Sequence, residues 1–215
     1  MKKTCLFLGL ICAWGAAASA AEFLCENFDS APTGSVANAA GWTRASWLGG
    51  ITGRIENVGA YVSPSNALEL AWDATASSAV FTNFNSTYTP AEHPVIRCSA
   101  KLRCDNTNAF FQLGLRHPGT GQFLSFQSTN GYGVFGFLYR DGVHVPLVPN
   151  RFVDVTFFYN RSNHHYRLDY DWTNRLAWAT NGEGVGIATQ FTQFVVARPG
   201  GTAGTTGTFV VDDVS

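Results

Sequence analysis

The chain has 215 residues, with 14 Lys and Arg against 15 Asp and Glu, and a net charge of −1 at pH 7. A near-neutral chain lacks the basic footprint that nucleic acid or an anionic membrane surface requires, so the composition argues against both partners. Only 13% of the residues are charged while 14% are aromatic. This balance is typical of an extracytoplasmic β protein.

The first 20 residues have the pattern of an export signal. Lys2 and Lys3 precede the apolar run CLFLGLICAWGAAA, and small residues at Ala18 to Ala20 form a cleavage pattern. The run is too short for a membrane anchor, so we expect no membrane insertion. The sequence therefore predicts a signal peptide at 1–20 and one mature domain at 21–215. We expect the mature protein to be secreted, periplasmic or on the cell surface.

The mature chain has the periodicity of strands. Period-two or wholly apolar runs recur at the spacing of a sandwich or barrel, and almost no segment has helical periodicity. Turn dipeptides such as Asn130-Gly131 separate several runs and indicate antiparallel hairpins. About a dozen strands need two stacked sheets, because one open sheet would leave an apolar face wet. We predict an all-β, antiparallel two-sheet β-sandwich. The predicted strands are 22–28, 55–62, 66–72, 78–84, 94–104, 109–117, 121–128, 132–139, 152–160, 164–172, 175–180, 190–198 and 207–214.

One glycine motif imitates a nucleotide site. The segment GYGVFG, Gly131 to Gly136, matches the G-x-G-x-x-G pattern, but a strand and a turn follow it rather than a helix. We therefore assign these glycines to a hairpin.

Three cysteines follow the leader, at Cys25, Cys98 and Cys104. Cys98 and Cys104 share one face of a predicted strand, roughly 20 Å apart along it, whereas a disulfide needs Cα atoms within about 7 Å. Two alternatives stay open. Either Cys25 pairs with one of the two, or all three are small buried hydrophobic side chains.

Four segments carry a family resemblance. The opening FLCENFDSAPTGSVANAAGWT, the strand SNALELAW, the hairpin RFVDVTFFYNRSNHHYRLDYDWTNRLAW and the closing TFVVDDVS are similar to successive parts of one domain type. On these segments the mature chain resembles the concanavalin A-like lectin/glucanase superfamily, the laminin-G-like jelly rolls of secreted bacterial proteins. The resemblance implies a jelly-roll fold. Phe152 stands where the hairpin motif usually has Trp.

The resemblance also implies a structural calcium ion between the first and last strands. The matching acids are Glu26 and Asp29 near the start and Asp212 and Asp213 at the end. Calcium takes about six to eight oxygen ligands, and a cluster of acids without a cation would be repulsive. Alternation places Asp212 and Asp213 on opposite faces of a regular strand, so we favour Asp212 as the ligand unless the strand bulges. The alternative is an edge strand, where charges prevent aggregation.

The hairpin predicts a polar face that suits a sugar. We place its turn at Thr173-Asn174, so that Asp169 pairs with Trp178. Tyr166, Leu168, Tyr170 and Trp172 then face the core. Stacking on an aromatic ring and hydrogen bonds from charged groups are what a sugar site requires. The predicted polar face holds His165, Arg167, Asp169, Asp171 and Trp178.

Two neighbouring segments add polar groups. Arg97, Lys101 and Arg103 lie opposite the cysteine face of their strand, and Gln112 and Arg116 lie opposite Leu113 and Leu115. If these strands share a sheet with the hairpin, the face becomes a basic groove for an acidic or hydroxyl-rich glycan. An ordinary solvated outer face is the alternative.

These observations favour a non-catalytic, exported carbohydrate-binding or cell-surface recognition domain. Laminarinase-type members of the resembled superfamily carry an E-x-D-x-E motif, and this sequence has none. Sugar hydrolysis needs two carboxylates about 5 to 10 Å apart, and Asp169 with Asp171 is the only close acid pair inside a predicted strand. A structural or adhesive surface protein is the second alternative, and a polysaccharide hydrolase or lyase is the third.

Overall fold

The computed structural model describes residues 24, 28–35, 41–44, 53–57, 66–72, 78–84, 91–108, 110–129, 131–137, 143–180, 191–198 and 207–215. Every regular element among them is a β-strand, which confirms the all-β prediction. None of the described residues belongs to a helix long and apolar enough to span a membrane. The strands are β1 (Gly34–Ser35), β2 (Trp42–Arg44), β3 (Gly53–Asn57), β4 (Asn66–Trp72), β5 (Ser78–Asn83), β6 (Val95–Cys104), β7 (Gln112–Arg116), β8 (Phe123–Thr129), β9 (Tyr132–Phe137), β10 (Val143–Pro146), β11 (Val153–Asn160), β12 (His165–Tyr170), β13 (Thr173–Thr180), β14 (Gln193–Arg198) and β15 (Gly207–Asp212).

The strands form two antiparallel sheets that pack as a jelly-roll sandwich. The eight-stranded sheet has the order β1-β3-β4-β15-β6-β11-β12-β13, and the seven-stranded sheet has the order β10-β9-β8-β7-β14-β5-β2. The final strand, β15, lies inside its sheet, paired with β4 on one side and β6 on the other. Asp212 and Asp213 therefore do not belong to an edge strand, and the edge-protection alternative is wrong.

Period-two alternation builds the core between the sheets. In β6 the inward residues Ile96, Cys98, Ala100, Leu102 and Cys104 are buried, while Arg97 between them is exposed. Aromatic rings join the two sheets: the ring centroids of Phe111 and Phe209 are 3.7 Å apart, and those of Phe135 and Phe157 are 5.2 Å apart. Burying one such ring stabilises the fold by about 1.5 to 3 kcal/mol.

The two cysteines of β6 are buried and free. Burial raises the pKa of the Cys104 thiol to about 11, with a further contribution from Asp105, and burial also raises the pKa of Cys98. Both behave as small hydrophobic side chains with unreactive thiols. Cys25 lies outside the described residues, so a pairing that involves it stays a prediction.

The glycine motif belongs to the β8–β9 hairpin, as predicted. Gly131 has φ = 86° in the two-residue turn between Thr129 and Tyr132. A Cβ atom on Gly133 would lie 2.1 Å from the Phe126 ring, so only glycine fits beside that ring. The two glycines thus serve a turn and a close packing contact.

Candidate functional site

The predicted polar residues of β6 and β12 lie on one surface, the outer face of the eight-stranded sheet. Strand β11 lies between β6 and β12 in this sheet. The register aligns Arg97, Phe158 and Arg167 in one row across the three strands, and Lys101 opposite Asp154 in another. His165 and Asp169 alternate with the buried Tyr166, Leu168 and Tyr170. The face assignment for Arg97, Lys101, Arg103, His165, Arg167 and Asp169 therefore agrees with the structure.

The turn of the β12–β13 hairpin differs from the prediction. Tyr170 pairs with Thr173, so the two turn residues are Asp171 and Trp172, not Thr173 and Asn174. Both have positive φ, 51° and 61°, as a type I′ turn requires. Asp171 is therefore a turn residue and not part of the strand face. Register shifts on either side of Leu168 also place Asp169 opposite Asn174, not opposite Trp178. Trp178 lies in β13, and its side chain is outside the described part of the structure.

Trp172 is the most exposed large hydrophobic residue of the described chain. Its exposed fraction is 84%, so the prediction that it faces the core is wrong. The two-residue shift of the turn is the physical reason, because it moves Trp172 out of the alternating strand. The Trp172 side chain lies close enough to Asp154 on β11 to lower the pKa of that carboxyl group. The ring is thus both solvent-accessible and close to the sheet.

Paired charges lie on the same face of the sheet. The Arg151 guanidinium lies 2.5 Å from Asp171 Oδ2, and Lys101 Nζ lies 3.1 Å from Asp213 Oδ2. Farther along the face, Arg167 donates from Nε and Nη2 to the Asp169 carboxylate at 2.7 to 3.1 Å. Two-point pairing of this kind fixes the planes of both groups.

Two arginines lie over aromatic rings on the same face. Arg167 Cζ lies 5.0 Å from the Phe158 ring centroid, and Arg103 Cζ lies 5.1 Å from the Phe152 centroid. These distances are those of cation–π contacts. Phe152 occupies the position where the resembled motif has Trp. Its ring therefore forms a contact with an arginine.

Asp154 is an acid of this face with a shifted pKa. Burial raises its pKa, and Asp171 and Asp213 raise it further, while Lys101 and the Trp172 indole lower it. The main-chain N–H of Asp171 donates to the Asp154 carbonyl at 2.7 Å, so the two residues are neighbours across the sheet. Asp154 and Arg151 are not among the site residues predicted from the sequence. Alternation within β11 could have placed Asp154 on the outer face, but Arg151 precedes the strand and had no signal.

Gln112 and Arg116 do not share this face. They lie on β7, in the seven-stranded sheet, so the predicted continuous groove is divided between two sheets. Gln112 Nε2 donates to Gln127 Oε1 at 2.7 Å, and Arg116 Nη1 donates to Gln193 Oε1 at 2.9 Å. Desolvation lowers the pKa of Arg116. These side chains form polar pairs on the outer face of the second sheet.

The end of β15 contains a bulge. Asp212 pairs with Lys101, whereas Ser215 exchanges main-chain hydrogen bonds with Ser99 at 2.7 and 2.9 Å. Three steps along β15 therefore match two along β6, and Asp213, with φ = 47°, is the extra residue. The bulge returns Val214 to the core, where it is 1% exposed. Strict alternation of Asp212 and Asp213 is thus interrupted.

Asp212 is a buried carboxylate close to other acids. It is 2% exposed, and its Oδ1 accepts a hydrogen bond from the Asp213 N–H at 2.8 Å. Burial raises the pKa of Asp212 to about 7, and Asp213 and Asp29 raise it while Lys101 lowers it. Asp29 therefore lies within electrostatic reach of Asp212, as the calcium prediction requires. Glu26 lies outside the described residues, and the residues that are described contain no group of three His, Cys, Asp or Glu side chains arranged for a metal ion.

Comparison with known proteins identifies the fold. No protein-family model matches the chain, and no curated protein matches it. Solved structures similar to it include a sialidase (TM-score 0.58, 10% identity, 90% of this chain and 18% of the sialidase). A carbohydrate esterase, vb_24B_21, from Shiga toxin-encoding bacteriophage phi24B is similar with a TM-score of 0.57 and 11% identity over 89% of this chain and 95% of the esterase.

The catalytic domain of a GH131 β-glucanase from Podospora anserina is similar with a TM-score of 0.54 and 9% identity, over 87% of this chain and 91% of the glucanase domain. The chain thus spans nearly the whole of two of these structures and less than a fifth of the sialidase. At identities near 10% these similarities establish a shared sandwich fold.

Proposed function

We propose that the chain is a non-catalytic, exported carbohydrate-binding domain whose ligand binds on the outer face of the eight-stranded sheet, against Trp172. The observation that carries the proposal is the exposed indole ring, 84% accessible, beside the Asp154 carboxyl group whose pKa it lowers. An accessible aromatic plane stacks on the apolar face of a sugar ring, and charged side chains beside it hydrogen-bond to the hydroxyl groups. Arg151 and Asp171 supply such groups.

Backbone strain at Trp172 supports the same proposal. A type I′ turn favours glycine or asparagine, because both turn residues have positive φ. A tryptophan there costs roughly 1 kcal/mol or more, and its exposure returns little hydrophobic stabilisation. Strained residues of this kind are concentrated at functional sites.

The names of the similar structures add support. A sialidase, a carbohydrate esterase and a β-glucanase domain share the fold with this chain. They differ in chemistry, but each name refers to a carbohydrate. We therefore expect a carbohydrate ligand for this chain. The same expectation includes a role in recognising a carbohydrate at a cell surface.

Hydrolysis is the second candidate, and one observation favours it. Asp154 and Asp171 are neighbours, with the pKa of Asp154 raised and Asp171 paired with Arg151. An acid with a raised pKa beside an ionised carboxylate is the arrangement of many glycosidases. The predicted pair Asp169 and Asp171 is less suitable, because the Asp169 carboxylate is occupied by Arg167.

A calcium ion remains part of the proposal. Asp29 and Asp212 are the described residues that would hold it, because Lys101 already neutralises Asp213. The ion would supply positive charge that offsets repulsion between the buried carboxylate of Asp212 and the half-buried carboxylate of Asp29. Its role would be structural.

A glycan array combined with a reducing-sugar assay on the same polysaccharides tests these functions. We expect binding without release of reducing ends, and loss of binding in Trp172→Ala but not in Tyr132→Ala. Tyr132 is a matched control because it is an exposed aromatic residue, 48% accessible, on the other sheet. Release of product that Asp154→Asn abolishes would favour the hydrolase. Absence of both binding and product would favour a structural or adhesive protein.

A further inference from the structure

Two arginines of β6, on the outer face of the eight-stranded sheet, form no ion pair with a carboxylate among the described residues. The ion pairs among the described residues of this face use Lys101, Arg151 and Arg167. Arg97 and Arg103 belong to none of them. Each of the three paired cations is neutralised by one aspartate. Arg97 and Arg103 remain, with Arg175 on β13, without such a pair among the described residues, and Arg103 also lies over an aromatic ring.

Arg103 has the geometry of an anion-binding group. Its guanidinium lies over the Phe152 ring at 5.1 Å, and Glu69 on β4, which shares its row of the sheet, is separated from it by Val210 on β15. A guanidinium that stacks on a ring keeps its N–H groups directed outward at the edges of its plane. Two parallel N–H groups at one edge of the guanidinium match the two oxygens of a carboxylate or sulfate group.

Arg103 also lies close to the proposed ring platform. Arg103 is two residues along β6 from Lys101, and Lys101 is opposite Asp154, which neighbours Asp171. Two strand spacings and two residue steps place the Cα atoms of Arg103 and Asp171 about 12 Å apart. Lys101 and Asp154 occupy the surface between them. One extended glycan can therefore reach both Trp172 and Arg103.

We propose that the carbohydrate is an acidic glycan whose carboxylate or sulfate group binds Arg103 while a neighbouring sugar ring stacks on Trp172. This inference rests on the proposed carbohydrate-binding function and specifies its ligand class. The full chain has a net charge of −1, so overall charge would not attract such a ligand. The attraction is local, from a cation that forms no ion pair with the aspartates that the structure describes.

Matched ligand pairs test the inference. Polygalacturonate is compared with its methyl ester, and dextran sulfate with dextran, by affinity electrophoresis in a chelator. The acidic member of at least one pair should bind about tenfold more tightly or better, because hydrogen bonds to charged groups are strong. The pair that shows the difference identifies carboxylate or sulfate as the bound group. Added salt should reduce the difference.

Substitutions of single arginines test which residue causes the preference for the acidic ligand. Arg103→Gln should remove most of the preference for the acidic ligand, and Arg103→Lys should restore only part of it, because lysine lacks the planar fork. Arg97→Gln is the matched control, since it removes the same charge from the same strand and face roughly 20 Å away. An unchanged melting temperature establishes that each variant is folded.

The outcomes separate the two proposals. Equal binding of acidic and neutral ligands that Trp172→Ala abolishes would overturn the acidic-glycan inference and leave the binding function intact. Equal losses in Arg97→Gln and Arg103→Gln would overturn the assignment to Arg103. No binding to any of the four polysaccharides, together with an empty glycan array, would overturn both proposals.

Discussion

Lys101 is paired in the strand register with Asp212, yet its ammonium group lies 3.1 Å from the carboxylate of Asp213. The bulge at Asp213 explains this arrangement, because it gives the second aspartate access to the lysine. The first aspartate keeps a buried carboxylate whose described partner is the Asp213 N–H. The two adjacent acids therefore have different electrostatic environments.

This difference predicts a pH-dependent stability. The folded-state pKa of Asp212 is about 7, above its unfolded value, so folding takes up a proton between about pH 4 and pH 7 and stability falls as pH rises through that window. In a chelator at pH 8, Asp212→Asn should stabilise the protein by roughly 2 to 4 kcal/mol, since one pKa unit corresponds to about 1.4 kcal/mol. Near pH 3.5 the gain should vanish.

Urea denaturation at the two pH values measures this gain. Asp213→Asn is the control, because its partly exposed pair with Lys101 contributes at most about 1 kcal/mol. An Asp212→Asn variant that gains equal stability at both pH values would contradict the assignment.

The calcium prediction concerns the same carboxylate with the ion present. Calcium at about 100 times its dissociation constant should stabilise the folded chain by roughly 2.7 kcal/mol. For a domain of this size that is a rise of several degrees in melting temperature, which a chelator should reverse. Asp212→Asn should shrink the difference. Identical melting curves with calcium and with chelator would eliminate the metal site.

Trp172→Gly should separate stability from binding. Glycine adopts positive φ without strain, so this variant should be more stable than the native protein by roughly 1 kcal/mol while losing glycan binding. Trp172→Ala removes the same ring but keeps the strained backbone, so its stability should not rise. Thermal melting and a binding assay on both variants provide the measurement. Equal stability of the Gly and Ala variants would argue against strain at the turn.

Trp178→Ala tests whether the second tryptophan of the hairpin contributes to glycan binding. We expect weaker glycan binding by roughly 1 kcal/mol or more, from lost stacking, with little loss of stability. The comparison is made against Trp172→Ala on the same ligands. An unfolded variant would instead place the Trp178 ring in the core.

Local patterns in the sequence predicted most of the strands and the orientation of their side chains. The predicted strand 66–72 coincides with β4, and alternation assigned Cys98 and Leu168 correctly to the core. Short elements such as β1, β2 and β10 were not predicted, because two to four residues are too few for a period to be visible. The predicted strand 22–28 lies mostly outside the described residues.

The candidate site was predicted less completely from the sequence than the strands were. Alternation placed Gln112 and Arg103 on outer faces, but the sheet that each strand joins depends on partners distant in sequence, which a local period does not encode. The turn was misplaced because Thr173-Asn174 has ordinary turn chemistry whereas Trp172 opposes it. That conflict between local preference and structure is a reason to regard the turn as functional.

The position of β15 inside its sheet has a kinetic consequence. The hydroxyl groups of Ser99 and Ser215 are 2.7 Å apart although the residues are separated by 116 positions, and β15 joins β4 to β6. Until residues 207–212 arrive, β4 and β6 each have an unpaired edge, and the sheet consists of two unconnected parts. Long-range closure of this kind slows folding and exposes strand edges in the meantime.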